Sequence, residues 1–312
     1  MRAIGVTEYG GPEVLHEVDV PPEELGEGEV RIRVTRATVN PTDTGIRAGL
    51  RSQTGRPEDP ADVPGMEVAG RVVEVGEGVE GPAVGDRVMG IVVPSGTHGA
   101  YREEVVLPAA SVVPVPAGAS DAEAATLPMN GLTARLALEL LGLEPGQVVA
   151  VSGAAGALGG YVIQLARADG LTVVADAAEK DEELVGSLGA DVVLPRGDDY
   201  AQAIRERYPD GVDGLVDAAL LNEAVLPAVK DGGTMATVRG WAGEGQDRVW
   251  VRPVGVRTVA ERHDLLDRLR QQAEEGVLTL RVAGVLPAAE APEAHRRLEA
   301  GGVRGRLVLD LT

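Results

Sequence analysis

Cysteine is absent from the 312 residues, so neither a disulfide framework nor a thiolate metal site can form, which excludes a secreted disulfide scaffold and a cysteine-based zinc site. No apolar run is long enough to span a bilayer, and the opening MRAIGVTEYGG lacks the charged stretch and long apolar core of a secretion signal. A soluble cytoplasmic protein without membrane contact is expected. Positive charge is in short supply: the formal net charge is -20, a field that repels phosphate backbones and anionic membranes, and no basic patch offsets it. Nucleic acid is therefore not an expected partner. The sequence also lacks internal repeats and low-complexity tracts. What remains is a chain long enough to bury a sizeable core, as two domains.

The most informative stretch is VVAVSGAAGALGGYVIQLARADGLTVVAD, Val148 to Asp176. Its order is a buried apolar strand (Val148 to Val151), a small-residue turn (Gly153, Ala154, Ala155, Gly156, Ala157, Leu158, Gly159), a helix, and a second strand ending on a carboxylate. That is the layout of a dinucleotide-binding β-α-β unit. Gly156 lets backbone approach a pyrophosphate, Gly159 lets the helix lie close, and the helix N-terminus offers N–H groups to phosphate. Asp176, about 20 residues beyond the turn, suits the adenosine ribose hydroxyls and repels a 2′-phosphate, which argues for NADH.

The flanks read differently. Glu29 to Val39 alternates Val30, Ile32 and Val34 with Arg31, Arg33 and Thr35, the period of a half-buried strand. With the β-rich runs Val68 to Val75 and Val84 to Val93, this predicts a compact antiparallel barrel. Ser120 and Glu123 have capping-box spacing ahead of a helix carrying Gly131 and Thr133. Beyond Asp176, strands at Asp191 to Leu194, Gly214 to Asp217 and Thr234 to Val238 alternate with helices at Tyr200 to Tyr208 and Asn222 to Val229, the signature of a covered parallel sheet. The last segment predicts a helix over Glu261 to Glu274, a strand near Val282, a helix over Pro292 to Ala300 and a strand over Arg306 to Leu311. Arg248 to Thr258 reads as an edge strand through which a homodimer could form. Asp43 and Arg47 have the spacing of an i, i+4 pair, and His16, His263 and His295 read as peripheral.

Asn40-Pro41-Thr42-Asp43, Pro64-Gly65-Met66-Glu67-Val68-Ala69-Gly70, Val84-Gly85-Asp86-Arg87-Val88, Gly99-Ala100-Tyr101, Gly131-Leu132-Thr133-Ala134, the glycine turn and Ala294-His295-Arg296-Arg297-Leu298-Glu299 follow one another in order. Together they resemble the zinc-independent quinone oxidoreductases (zeta-crystallin-like) of the medium-chain dehydrogenase/reductase superfamily. The resemblance implies an α/β protein, a doubly wound Rossmann parallel sheet (residues 121–252) inserted into a GroES-like β-barrel catalytic domain (residues 1–120 plus 253–312). Zinc-dependent relatives place Cys where this chain has Asn40 and His where it has Met66; an amide and a thioether do not make a zinc site. The implied activity is NAD(P)H-dependent, metal-free hydride transfer to a small quinone or α,β-unsaturated carbonyl. The alternatives are a pathway enoyl-thioester reductase, or a nucleotide-binding regulatory or structural protein with little catalysis.

The resemblance also assigns roles. It puts Asn40 near the nicotinamide, where it either hydrogen-bonds a substrate carbonyl as charge develops or merely caps the turn before Pro41. Thr133 resembles a residue at the nicotinamide end. Tyrosines that relatives carry at positions 45 and 51 are replaced by Gly45 and Arg51, leaving His98, Tyr101, Arg51 or water as proton donors, with solvent the default. Lys180 and Arg196 lie where they could neutralise a 2′-phosphate, in line with the family's NADPH habit and against Asp176. Loops beyond strand ends nominate Val238 and Gly240 for the cofactor, and Trp241 either for stacking on substrate or for closing the domain interface.

Overall fold

Burial follows the sequence periodicity closely along Glu29–Thr38, where Val30, Ile32 and Val34 are buried and Arg33 is exposed. In the computed structural model, which describes residues 1–50, 52, 54–243 and 247–312, that segment is the third strand. The chain starts with β1 (Arg2–Gly5), β2 (His16–Asp19), β3 (Glu29–Thr38) and helix α1 (Pro41–Arg47). Then come β4 (Glu67–Val75), β5 (Arg87–Ile91), β6 (Glu104–Pro108), β7 (Val112–Pro114), α2 (Asp121–Ala124) and α3 (Pro128–Leu141). The middle alternates: β8 (Val148–Ser152), α4 (Ala157–Ala168), β9 (Thr172–Ala177), α5 (Glu182–Ser187), β10 (Val192–Pro195), α6 (Tyr200–Arg207), β11 (Val212–Asp217), β12 (Val229–Thr237) and β13 (Trp250–Pro253). The chain closes with α7 (His263–Glu274), β14 (Val282–Pro287), α8 (Ala291–Ala300) and β15 (Arg306–Asp310).

Two compact units emerge. The first joins Met1–Met129, Ala260–Glu274 and Leu280–Thr312; the second joins Asn130–Val259 and Glu275–Thr279. In the first, a sheet runs β14-β15-β3-β4-β5-β7 with β6 on the other flank of β3. Its pairings are antiparallel apart from β14 with β15. Its core is mostly aliphatic, with Val30, Ile32, Val68, Val72, Val105, Leu107, Leu307 and Leu309 buried alongside Tyr101, and the chain contains no phenylalanine. Ser120 accepts from the Glu123 N–H at 3.2 Å while the Glu123 carboxylate accepts from the Ser120 N–H at 2.8 Å, the reciprocal cap the spacing predicts.

The second unit holds an all-parallel sheet in the order β10-β9-β8-β11-β12-β13. Counted within the unit this is 3-2-1-4-5-6, the doubly wound Rossmann order, with β8 and β11 meeting at the switch point. Several boundaries differ from expectation. The helix after Ser120 is two helices, α2 and α3. Asn222–Ala228 is a 3-10 stretch containing Pro227, whose missing N–H and ring bulk break a regular α-helix. The strand expected over Arg248 to Thr258 shortens to β13, because Val256–Val259 turns into a 3-10 helix.

Glycine is required in the turn after β8 for measurable reasons. Gly153 has φ +68°, and a Cβ on Gly159 would lie 2.4 Å from the Gly153 carbonyl oxygen and 2.8 Å from Ala154 Cα. Gly159 thus lets α4 press on the turn itself. Gly159→Ala is expected to destabilise the protein by about 2 kcal/mol through overpacking, whereas Gly186→Ala in α5, where a Cβ meets nothing within 4 Å, should stabilise it by about 0.5–1 kcal/mol. Urea unfolding of both variants checks the contrast.

Candidate functional site

In the unit with the parallel sheet, the residues nominated for a cofactor lie at the carboxyl ends of β8, β9, β11 and β12. Gly156 is the N-cap of α4, in extended conformation, and Ala157, Leu158 and Gly159 form its first turn, whose N–H groups precede the helix's own hydrogen-bond ladder. Asp176, near the end of β9, is buried and accepts from the Ala154 N–H at 2.9 Å. Burial pushes its carboxyl up, against the Ala154 N–H, the Arg196 guanidinium and the Gly153 N–H. The acid therefore fixes the conformation of the turn. Lys180 and Arg196 are exposed on the loops after β9 and β10.

The loops after β11 and β12 are held in uncommon backbone conformations. Leu220 (φ 61°), Asn222 (φ 51°) and Arg239 (φ 62°) are left-handed without being glycine, and Gly240 follows at φ +85°. Asp217 secures the first loop by accepting from the Ser152 hydroxyl at 2.5 Å, the Asn222 N–H at 2.8 Å and the Ala219 N–H at 3.2 Å. Val238, half-buried, opens the second. Trp241 belongs to this unit's own core edge, its indole N–H donating to Glu223 at 3.0 Å. Thr133 is buried on α3. Arg51 lies outside the described residues.

In the other unit, Asn40 is the N-cap of α1 and has no exposed surface. Its backbone N–H donates to Asp43 Oδ2 at 2.7 Å, but its side-chain amide is turned toward Glu67 Oε1 (3.2 Å) and Thr38 Oγ1 (3.3 Å). Glu67, also sealed from solvent, takes the Met129 N–H at 2.8 Å and Arg306 at 3.1 Å. Met66 is buried beside it in sequence. Among the described residues no group of three or more His, Asp or Glu side chains could hold a metal, and the donor set at positions 40 and 66, an amide and a thioether, does not fit zinc.

Asp43 does not pair with Arg47. It accepts from the Gly65 N–H at 3.0 Å and the Tyr101 hydroxyl at 3.2 Å, while Arg47 reaches α8 and grips Glu299 with contacts of 2.6 and 3.2 Å. A bidentate carboxylate on a neighbouring helix outcompetes a buried one already holding backbone donors. His295 is not peripheral either: it is fully buried, 3.3 Å from the Tyr101 oxygen. Ala291, Ala294 and His295 form the inward face of α8, and the charged residues around them form the outer one. His16 and His263 are exposed, as expected. Tyr101, a candidate proton donor at the sequence level, is likewise wholly buried and engaged with Asp43 and His295. His98 contacts Glu23 at 2.8 Å, and Glu23 also holds the sealed Arg102 at 2.5 Å.

Burial pushes the Asp43 carboxyl up to about 7, despite the Asn40 N–H, Arg306, the Gly65 N–H and the Tyr101 hydroxyl. Burial, with Arg47 nearby, pushes the His295 imidazole down to about 3. Neutral Asp43 therefore contributes stability that is complete below the ordinary carboxyl value of 3.8 and lost as pH rises through about 7. Asp43→Asn, which cannot ionise, should gain on the wild type across that interval by a few kcal/mol at most, at ~1.4 kcal/mol per unit. Urea unfolding of both proteins over this pH range checks it, and a pH-independent difference would count against a neutral Asp43.

Comparison with known proteins agrees with this architecture. The alcohol dehydrogenase GroES-like domain matches residues 26–117, and zinc-binding dehydrogenase matches residues 188–309, a span that contains neither Asn40 nor Met66. The 2-methylene-furan-3-one reductase of Solanum lycopersicum is 32% identical over 99% of this chain and 79% of its own length. An NAD-dependent alcohol dehydrogenase superposes with a TM-score of 0.87 at 31% identity, covering 100% of both chains. A mycobacterial protein solved with NADPH gives 0.86 at 30% identity, covering 99% of this chain and 100% of its own. Other relatives are named quinone oxidoreductase, enoyl reductase and alcohol dehydrogenase. The chain belongs to the medium-chain dehydrogenase/reductase superfamily, and within it to the zeta-crystallin-like quinone oxidoreductase family. It is an oxidoreductase of an NAD(P)H-binding class.

Proposed function

We propose that this protein is an NADPH-dependent reductase of small quinones or α,β-unsaturated carbonyls. The observation that carries this reading is the pair Asn40 and Met66, which leaves no zinc donor set to polarise an isolated carbonyl. A conjugated acceptor is already electrophilic and needs less help. Bound reduced nicotinamide supplies the hydride. The chain's own task is to hold and aim: the turn Gly153 to Gly159 receives the pyrophosphate, and the loops around Leu220 and Val238 shape the nicotinamide end. His98 and Tyr101 are engaged with Glu23 and with Asp43 and His295, which supports protonation by solvent.

Preference for NADPH over NADH is supported by the state of Asp176. Its carboxylate is buried against the turn and offset by Arg196, while Lys180 and Arg196 are exposed toward solvent. Lys180→Ala/Arg196→Ala is expected to raise KM for NADPH about ten-fold or more while changing KM for NADH less than about two-fold; equal effects on both cofactors would remove the preference. Stopped-flow mixing of NADPH-loaded protein with 1,4-benzoquinone and a panel of enones should show accelerated cofactor oxidation. Tight cofactor binding without turnover on either class would leave the non-catalytic nucleotide-binding reading. A thioester reductase is supported by the relatives named enoyl reductase, and faster turnover of crotonyl thioester than of free enones would favour it. We also propose a homodimer formed through the open edge of β13; light scattering should give twice the chain mass.

A further inference from the structure

Tyr101 stands between two buried titratable groups of the first unit, its oxygen 3.2 Å from Asp43 Oδ2 and 3.3 Å from His295 Nε2. Burial, with Asp43 beside it, holds the Tyr101 phenol well above its ordinary value, so the hydroxyl keeps its one proton and turns it toward one neighbour at a time. The other hydrogen-bond partners of the Asp43 carboxyl are the Asn40 N–H at 2.7 Å and the Gly65 N–H at 3.0 Å. Neither can receive a proton, so among the described residues a neutral Asp43 has the Tyr101 oxygen as its acceptor. The Tyr101 hydroxyl must then turn to His295 Nε2, which accepts only if the ring proton sits on Nδ1. An ionised Asp43 reverses both bonds: the hydroxyl donates to Oδ2, and the Tyr101 oxygen is left to accept from a proton on Nε2. His295 Nδ1 has no hydrogen-bond partner among the described residues, so no second bond fixes the tautomer, and Tyr101 decides it.

We propose that Asp43, Tyr101 and His295 form a pH-sensitive switch in which loss of the Asp43 proton reverses the Tyr101 hydroxyl and moves the His295 ring proton from Nδ1 to Nε2. One proton leaves for water, and the hydroxyl turns without breaking its O–H bond. The ring proton changes nitrogen by exchange with water during local opening, with no net change on the ring. The charged groups around this chain have partners of their own: Arg47 of α1 is bound to Glu299 of α8, and Arg306 of β15 to Glu67 of β4. Glu13, on the 3-10 turn packed against α1 and α8, is exposed, as are Arg296 and Arg297 on the outer face of α8. Burial, with Arg47 nearby, keeps His295 neutral down to about 3, so the ring changes tautomer and not charge while Asp43 titrates. The protonation of an acid on α1 is thereby read out two hydrogen bonds away on α8.

Labelling with 15N-histidine gives four imidazoles, those of His16, His98, His263 and His295. That of His295 is identified by nuclear Overhauser contacts to the Tyr101 ring, whose centroid is 6.0 Å away, and by its loss in His295→Gln. From about pH 5 to about pH 9 its Nε2 shift should pass from that of a bare nitrogen to that of an N–H, with the tautomer ratio changing about ten-fold per pH unit near the midpoint. The midpoint should fall at about 7, where burial places the Asp43 carboxyl, and the side-chain 13C shift of Asp43 should titrate with it. In Tyr101→Phe the link is cut, and the His295 tautomer should no longer depend on pH. A constant tautomer in the wild type overturns the switch. So does a change that persists in Tyr101→Phe, a midpoint differing from that of Asp43 by more than about one unit, or imidazolium formation at His295 near neutral pH. The wild-type titrations decide the proposal even if a variant fails to fold.

Discussion

A carboxylate with no exposed surface must find all its donors inside the protein, and Glu67 finds them at the end of β3, the N-cap of α1, the start of α3 and the last strand, β15. Arg306 is the only full counter-charge in that set, and removing one partner of such a pair costs about 3–5 kcal/mol because the other charge is left buried alone. The network therefore ties segments 239 residues apart to a single geometry. It also fixes which way Asn40 faces. Structural necessity and site polarity come from the same few atoms.

A second buried group organises the neighbouring layer. Asp43 collects α1, the Gly65 loop and Tyr101, and Tyr101 meets His295 on α8 with ring centroids 6.0 Å apart, edge to face. These contacts, with Arg47 on Glu299, join the ends of the chain within one unit. In the other unit Asp176 does comparable work on a smaller scale, holding a glycine-rich turn through the Ala154 N–H. The left-handed residues Leu220, Asn222 and Arg239 lie beyond the carboxyl ends of adjacent strands, where doubly wound sheets bind ligands, and such conformations persist only when surrounding structure over-determines them.

Legibility in the sequence tracked the range of the interactions. The β8-turn-α4-β9 unit could be read residue by residue, because strand period, glycine positions and terminal acid are all local. The Ser120 and Glu123 cap was legible for the same reason. Asp43 and Arg47 were misread because spacing reports only neighbours on one helix, whereas their partners lie at Gly65, Tyr101 and Glu299. His295 was misread because its flanking arginines suggested a solvent face; the spacing of Ala291, Ala294, His295 and Leu298 was the signal available. The orientation of the Asn40 amide had no sequence signal, since it is set by a carboxylate 27 residues away and an arginine on the final strand.

The distribution of aromatic side chains gives the two units different optical character. Both tryptophans are in the unit with the parallel sheet: Trp241 against its core, and Trp250 exposed on the edge strand with the Arg252 guanidinium 5.5 Å from its ring. The barrel-type unit contains Tyr9 and Tyr101 and no indole. Light absorbed selectively by indole therefore excites one half of the molecule, and its emission follows the melting of the nucleotide-type unit while remaining blind to the other.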